Sequence, residues 1–463
     1  MQAELSGWDF EKTKADAKAA WNGELNKVKV LTASEQAKKN FYTSLYHTML
    51  APSVFCDVNG DYYGADHQVH KSAGFVNYTT FSLWDTYRAA QPLMTLLHPE
   101  KMSDIINTMV NIYKQQGKLP VWHLMGCETD CMIGNPGVPV VADAILKGIK
   151  GFNVEDAYKA LKESSMLPER GMEYRIKYGF IPADLMKEAI AYDMEYAIAD
   201  WSVAQVARKL NKQEDYKYFL ERSKSYKNYF DPTTGFMRGK MLDGSMRTPF
   251  NPYASTHRDD DYCEGNAWQY TWLVPHDVEG LVDCFGSKEA FISKLDSLFI
   301  ADGDMGESSS PDISGLIGQY AHGNEPNHHT VYLYTLVGQP WKTAERVNEI
   351  LHTMYTDQPD GLSGNEDVGQ MSAWYVLSSL GFYQVEPAGG KFVFGYPLFD
   401  KAEITVPGGK FTIEKENKGK SNQYIQSISL NNQEYKQAWI NYADIMKGGQ
   451  LKFIMGDEPV AWY

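Results

Sequence analysis

The spacing of apolar residues changes once along this chain, near Pro387, and that change bounds the fold. From about Ser34 to Gly381 apolar residues recur at helical intervals. The run Ser34-Glu35-Gln36-Ala37-Lys38-Lys39-Asn40-Phe41 opens on a serine before an acidic first turn, a helix-start pattern. Comparable runs lie at Pro99 to Tyr113, Pro139 to Ile149, Pro182 to Leu210, Gln213 to Tyr226, Lys288 to Phe299, Pro340 to Met354 and Gln370 to Leu380. Beyond Pro387 the pattern becomes alternation, as in Lys391-Phe392-Val393-Phe394, Ala402 to Val406, Phe411 to Glu414 and Lys452 to Met455, punctuated by Gly408-Gly409 and Asn431-Asn432. Repeated helix pairs must bury their apolar stripes against neighbours, and a closed ring does so without leaving ends. The expected architecture is therefore mainly α: a linker segment over 1–33, a toroid of paired helices over 34–386 and a small C-terminal β unit over 387–463.

At 463 residues the chain can bury a large core. A formal charge of −15 with no basic stripe excludes nucleic acid and anionic membrane surfaces as partners. No apolar run reaches membrane-spanning length, and the N-terminus has neither a basic start nor an apolar signal core, so the protein is either cytoplasmic or begins after a removed segment. The cysteines at 56, 127, 131, 263 and 284 cannot all pair, and Cys127 with Cys131 lacks the second pair of a zinc site; mostly buried thiols are expected. An aromatic share of 13% suits a sugar-binding cleft and equally a large core.

Long loops rich in Gly, Asp, Asn and aromatic residues separate the helices, at Asp231 to Asn266 and Ala301 to Asn327 for example, and loops of that length in a compact domain carry function. Five loops collect chemistry. In Phe81-Ser82-Leu83-Trp84-Asp85-Thr86-Tyr87-Arg88, Asp85 can bind sugar hydroxyls beside a stacking Trp84, or can pair with Arg88 at a helix start. In Leu119 to Gly134, Trp122 and Glu128 can bind ligand, or Thr129 and Asp130 can brace a turn. In Asp259 to Trp272, Glu264 precedes a glycine and an aromatic helix, where apolar surroundings would keep it protonated as a general acid requires; a solvated helix cap is the alternative. In Gln319 to His329 the three histidines are not spaced as in a helical zinc peptidase, whereas Asn324 and Glu325 offer hard oxygen ligands suited to calcium, or a polar helix start before Pro326. In Gly364 to Tyr375, Glu366 and Asp367 lie in a glycine-flanked loop at the positive end of a helix. Glu264 with Asp367 supplies the two carboxylates that glycoside hydrolysis needs.

With these segments in hand, the chain resembles glycoside hydrolase family 92, the calcium-dependent exo-α-mannosidases common in gut Bacteroides. The resemblance runs from the Trp84 loop through Gly381 and into the tail strands. It rests on Leu83-Trp84-Asp85-Thr86-Tyr87-Arg88, Glu264-Gly265-Asn266-Ala267-Trp268, His322-Gly323-Asn324-Glu325-Pro326 and Gly369-Gln370-Met371-Ser372-Ala373-Trp374-Tyr375. It implies an (α/α)6 toroid preceded by a β-sandwich that lends residues to the site and is absent from this sequence. It further implies a fragment of a periplasmic, secreted or cell-surface protein. Carried over by motif, Glu264 resembles the general acid and Asp367 the general base of an inverting exo-α-mannosidase acting on mannose-rich N-glycans. Asn324 and Glu325 resemble the calcium region that holds the mannose 2- and 3-hydroxyls, with Trp84, Asp85, Trp122, Glu128, His322 and Glu325 around the substrate. Asn365 departs from members with aspartate there, so Asp367 would act alone, and no histidine–glutamate pair marking α-1,2 specificity precedes the calcium motif at Tyr320-Ala321. Two other functions compete: a toroid glycosidase acting on α-glucosides, and a glycan-binding module without catalysis.

Overall fold

The computed structural model describes residues 3, 5 and 7–463. Among these, helices alternate between two burial types. Glu35–His47, Pro99–Gln116, Val154–Ser164, Gln213–Arg222, Lys288–Leu298 and Pro340–Thr353 bury one stripe and expose the other. Ala90–Leu97, Gly137–Lys147, Ala189–Lys209, Ala267–Tyr270, Leu333–Leu336 and Gln370–Ser379 are buried over most of their circumference. A half-buried helix lies on an outer layer and an all-round buried one inside it. The last inner helix, Gln370–Ser379, packs on both Glu35–His47 and Ala90–Leu97, so the end of the helical series meets its start. The fold is the (α/α)6 toroid with a C-terminal β domain.

Local signals set the helix ends. Ser34 caps Glu35–His47 by accepting from the Ala37 N–H at 3.2 Å. Two stretches differ from the sequence expectation. The run expected from Pro182 begins as a helix only at Ala189, because Glu188 takes a left-handed conformation (φ 54°) and breaks it. Val154–Ser164, capped by Asn153, was not singled out by its pattern.

The β domain draws on both ends of the chain. Val28–Leu31 pairs antiparallel with Lys401–Val406, giving a six-stranded sheet in the order Val28–Leu31, Lys401–Val406, Gly409–Asn417, Gly449–Gly456, Tyr424–Leu430, Gln433–Glu434. Asn431 and Asn432, at φ 52° and 64°, make the tight hairpin before the edge strand. A buried ion pair joins ring to β domain: Lys147 donates to Asp143 at 2.6 Å beside the rings of Phe392 and Tyr442, and Asp143 accepts from the Gly389 N–H at 2.9 Å.

The cysteines correct one expectation. All five are free, and of them only Cys263 is buried; Cys127, in the hairpin strand that carries Glu128, and Cys131, just beyond it, are exposed. No helix among the described residues is long and apolar enough to cross a membrane.

Candidate active site

The motif loops sit just before inner helices, at one end of the ring. Glu264 ends the loop that leads into Ala267–Tyr270. Asn266 and Gln269 form a capping box there, and Asn266 also donates to Gln319 at 2.9 Å. Gly265 is required because a Cβ would stand 2.7 Å from the Tyr270 ring. Tyr270 in turn donates its hydroxyl to the Cys263 carbonyl at 2.6 Å, and Asn324 donates to the Glu264 carbonyl at 2.6 Å. These bonds hold Glu264 in a left-handed conformation, φ 49°.

Asp367 is held in the same way. Asp367, Val368 and Gly369 run at φ 49°, 57° and 95° into the helix Gln370–Ser379. Such a conformation costs about 1–3 kcal/mol for a non-glycine residue and is more costly for a β-branched one, so the surroundings must over-determine it. Glu366 does part of this: its carboxylate accepts from the Gly369 N–H at 2.6 Å and the Ser372 N–H at 3.4 Å, capping the helix. Gln370 ties the loop to the others, accepting from the Ala89 and Ala90 N–H groups at 2.9 and 3.1 Å and donating to His328 Nδ1 at 2.9 Å.

Asp85 enters on the short helix Leu83–Thr86, after a strand pairing with Trp122–Leu124. Ser82 donates its hydroxyl to Asp85. Arg88 does not pair with Asp85. It donates to Glu195 at 2.6 Å, and Tyr87 donates to the same carboxylate at 3.1 Å, both in the buried floor.

Three carboxylates converge. Asp85, Glu325 and Asp367 each offer an oxygen, and these atoms lie within 4.8 Å of one another. Glu325 is 0% exposed, and neither of its carboxylate oxygens has a hydrogen-bond partner. Burial, reinforced by the charges of Asp367 on Asp85 and of Asp85 on Glu325, pushes both groups well above the usual carboxylate range. Asp367 is pushed up to about 6 by burial; the adjoining Glu325 carboxyl opposes the rise, and the charges of Glu366 and Asp312 add to it. Glu264 is pushed up to about 7, first by burial and then by Asp312, Asp367 and Glu188, with Arg258 opposing. At pH 7 Glu264 is thus about half protonated and Asp367 mostly ionised, an order of proton affinity that an acid and base pair can use.

The other expected residues separate into distinct roles. Asn324 spends its amide on the Glu264 carbonyl and its side-chain oxygen on the Glu325 N–H at 3.1 Å. Three of the residues expected to touch substrate are engaged with other parts of the protein. His322 is a core residue, 0% exposed, with one ring nitrogen bonded to the Tyr320 hydroxyl at 2.9 Å and the other to the Tyr355 hydroxyl at 2.7 Å. Glu128 accepts from the N–H groups of Val121, Trp122 and Asp130 at 2.8 to 3.0 Å, which fixes a turn. Trp84 is 1% exposed, with the Arg88 guanidinium 5.0 Å from its ring centroid, so it is no open platform. Trp122 is half-buried.

Sequence reasoning passed over Glu195, Asp312 and Gln370. A charged residue inside the apolar helix Ala189–Lys209 was the available signal for Glu195, and the long loop Ala301 to Asn327 already contained Asp312. Gln370 stands in the Gly364 to Tyr375 segment, but its bonds to Ala89, Ala90 and His328 form only when the ring closes.

The family model described as the glycosyl hydrolase family 92 catalytic domain matches residues 1–457. A family 92 α-mannosidase from Bacteroides thetaiotaomicron, solved in complex with mannoimidazole, superposes with a TM-score of 0.95 at 39% identity over 100% of this chain and 62% of that one. A family 92 inverting mannosidase from the same organism gives 0.89 at 32% identity, over 100% of this chain and 66% of that one. An uncharacterized secreted glycosidase of Arthroderma benhamiae is 26% identical over 99% of this chain and 58% of its own length. The chain thus spans about three fifths of the length of that curated relative. Matched by the family model from its first residue to 457, and by relatives above 30% identity along its full length, the chain belongs to glycosyl hydrolase family 92, in its catalytic domain.

Proposed function

We propose that the protein is an inverting exo-α-mannosidase that releases terminal mannose from mannose-rich glycans outside the cytoplasm, with Glu264 as general acid and Asp367 as general base. The observation that carries this reading is the pair of carboxylates set in strained loops at the same end of the ring, both raised by burial toward neutral pH, Glu264 to about 7 and Asp367 to about 6. The mannosidase relatives and the secreted relative support the substrate and the compartment. Glu264 holds its proton for the leaving oxygen, and Asp367 takes one from the attacking water. Arg88 and Glu195 neutralise each other beneath Trp84 and Tyr87, which keeps the floor rigid.

The converging carboxylates fit calcium. Asp85, Glu325 and Asp367 are hard oxygen donors, and the buried, unpartnered oxygens of Glu325 are costly without a cation. The expectation therefore moves from Asn324 to these residues, with Glu325 retained. Calcium bound there would hold vicinal hydroxyls of the sugar. It should also raise the melting temperature in proportion to RT ln(1 + [Ca]/Kd), and Glu325→Gln should remove that rise. An equal calcium shift in the variant would rule the site out.

The kcat/KM profile should fall above about pH 7 as Glu264 loses its proton, and at low pH as Asp367 gains one. A cation beside Asp367 favours its ionised form and moves the acid limb below 6. If Glu264→Gln keeps the alkaline limb, Glu264 is not the acid.

The reading is tested with the full-length protein on α-1,2-, α-1,3-, α-1,4- and α-1,6-mannobiose and on maltose, with calcium and with chelator, following the product anomer by NMR. Release of β-mannose in calcium, lost on chelation, is the expected result. Cleavage of maltose alone, or retention of configuration, would refute it.

A further inference from the structure

The loop bearing Asp312 is hydrogen-bonded to both catalytic loops, and we propose that Asp312 is a positioning residue that clasps the acid loop to the base loop. The proposal rests on the roles given above to Glu264 and Asp367. On the acid side, the chain that leads to Glu264 runs beside the Asp312 loop: the Ser255 N–H donates to the Met305 carbonyl at 3.1 Å and the His257 N–H to the Ser308 carbonyl at 2.9 Å. His257 Nδ1 lies 3.1 Å from the Ser310 hydroxyl, which donates to Asp312 at 2.8 Å. The serine has one proton to give, so the imidazole Nδ1–H donates to the serine oxygen.

On the base side, the Asn365 amide donates to the other oxygen of Asp312 at 3.4 Å. Side chains from three loops therefore form one path, His257 to Ser310 to Asp312 to Asn365, that starts upstream of Glu264 and ends just before Asp367. The backbones behind it are in close contact: a Cβ on Gly364 would meet the Gly323 carbonyl at 2.6 Å, and the Gly323 N–H donates to the Ser314 carbonyl at 3.0 Å.

The chemistry gives this clasp its purpose. An inverting enzyme must keep its two carboxyl groups apart by the width of a water, and a misplacement of about 1 Å can cost ~100-fold in rate. Both carboxylates sit on left-handed backbone that relaxes unless it is held. An amide at position 365 is what lets the path close, because a carboxylate there would face the Asp312 carboxylate with no proton between them.

The test compares Asp312→Ala, Asn365→Asp and the combined Asp312→Asn, Asn365→Asp in the full-length protein, on α-mannobiose and on dinitrophenyl α-mannoside. Each single variant should lower kcat about 10- to 100-fold on both substrates, with KM within about threefold and the melting temperature unchanged. The combined variant restores the amide–carboxylate pair with its ends exchanged and should recover kcat to within about fivefold of the parent. Three results would overturn the clasp: an exchange variant no more active than the singles, a loss confined to KM, or a loss confined to the disaccharide, which would make Asp312 a leaving-group contact. Inactivity of the parent on both mannosides strikes the substrate assignment instead. The variants are then compared on whichever dinitrophenyl glycoside the parent cleaves, and if it cleaves none the clasp falls as well.

Discussion

Replacing Glu264 by glutamine should lower kcat/KM on α-mannobiose by about 100- to 10,000-fold, a barrier increase of about 3 to 5.5 kcal/mol. Glutamine keeps the size and shape of the side chain but has no acidic proton to give the leaving oxygen. On dinitrophenyl α-mannoside, whose leaving group departs without protonation, most of that loss should vanish. Asp367→Asn should behave differently. Water activation is needed whatever the leaving group, so its loss of similar size should persist on both substrates. Steady-state kinetics on the two substrates distinguishes the roles. If Glu264→Gln is equally slow on both, or Asp367→Asn is rescued by the good leaving group, the two assignments are exchanged or wrong.

Stability should respond most strongly far from this chemistry. Arg175 donates to Asp193 at 3.0 Å and also to Asp200, while Arg222 donates to Asp200 at 2.7 Å. The Arg175, Asp193 and Asp200 side chains are 0% exposed, and together the network binds the helices Met172–Tyr178, Ala189–Lys209 and Gln213–Arg222. Asp200→Ala would leave two guanidinium groups short of their counter-charge in the interior, at a cost of about 3–5 kcal/mol. Chemical denaturation should show the midpoint falling accordingly, while kcat per folded molecule stays at the parent value, because no member of the network touches the carboxylate cluster. A change below about 1 kcal/mol would mean that water reaches these charges.

Much of the architecture was legible from residue spacing. Apolar stripes at helical intervals give nearly the same helices in any compact fold, so Pro99, Lys288, Pro340 and Gln370 were placed at the helix starts that the structure shows. Alternation after Pro387 likewise located four strands. Less legible was the partner of Val28–Leu31, since a pairing with Lys401–Val406 spans the whole ring and leaves no local mark.

For the site, local chemistry marked Glu264, Glu325, Asp85 and Asp367 as candidates: acids beside glycines, at the starts of aromatic or apolar helices. It could not divide the remaining polar residues into working and structural groups. His322, Glu128 and Trp84 have the side chains of ligand-binding residues, yet two tyrosines, three backbone amides and an arginine from elsewhere in the fold already occupy or cover them. Nor could it foresee that Asp85, Glu325 and Asp367 share one small volume, because their loops are far apart in the chain and meet only when the ring closes. The sequence by itself determined the helices, the strands and the identity of the acids, since those follow from periodicity and neighbouring residues. The tertiary structure alone decided which acids converge, how far each is raised above the ordinary carboxylate range and which polar groups are already hydrogen-bonded, since burial and electrostatic coupling exist only between groups brought together in space.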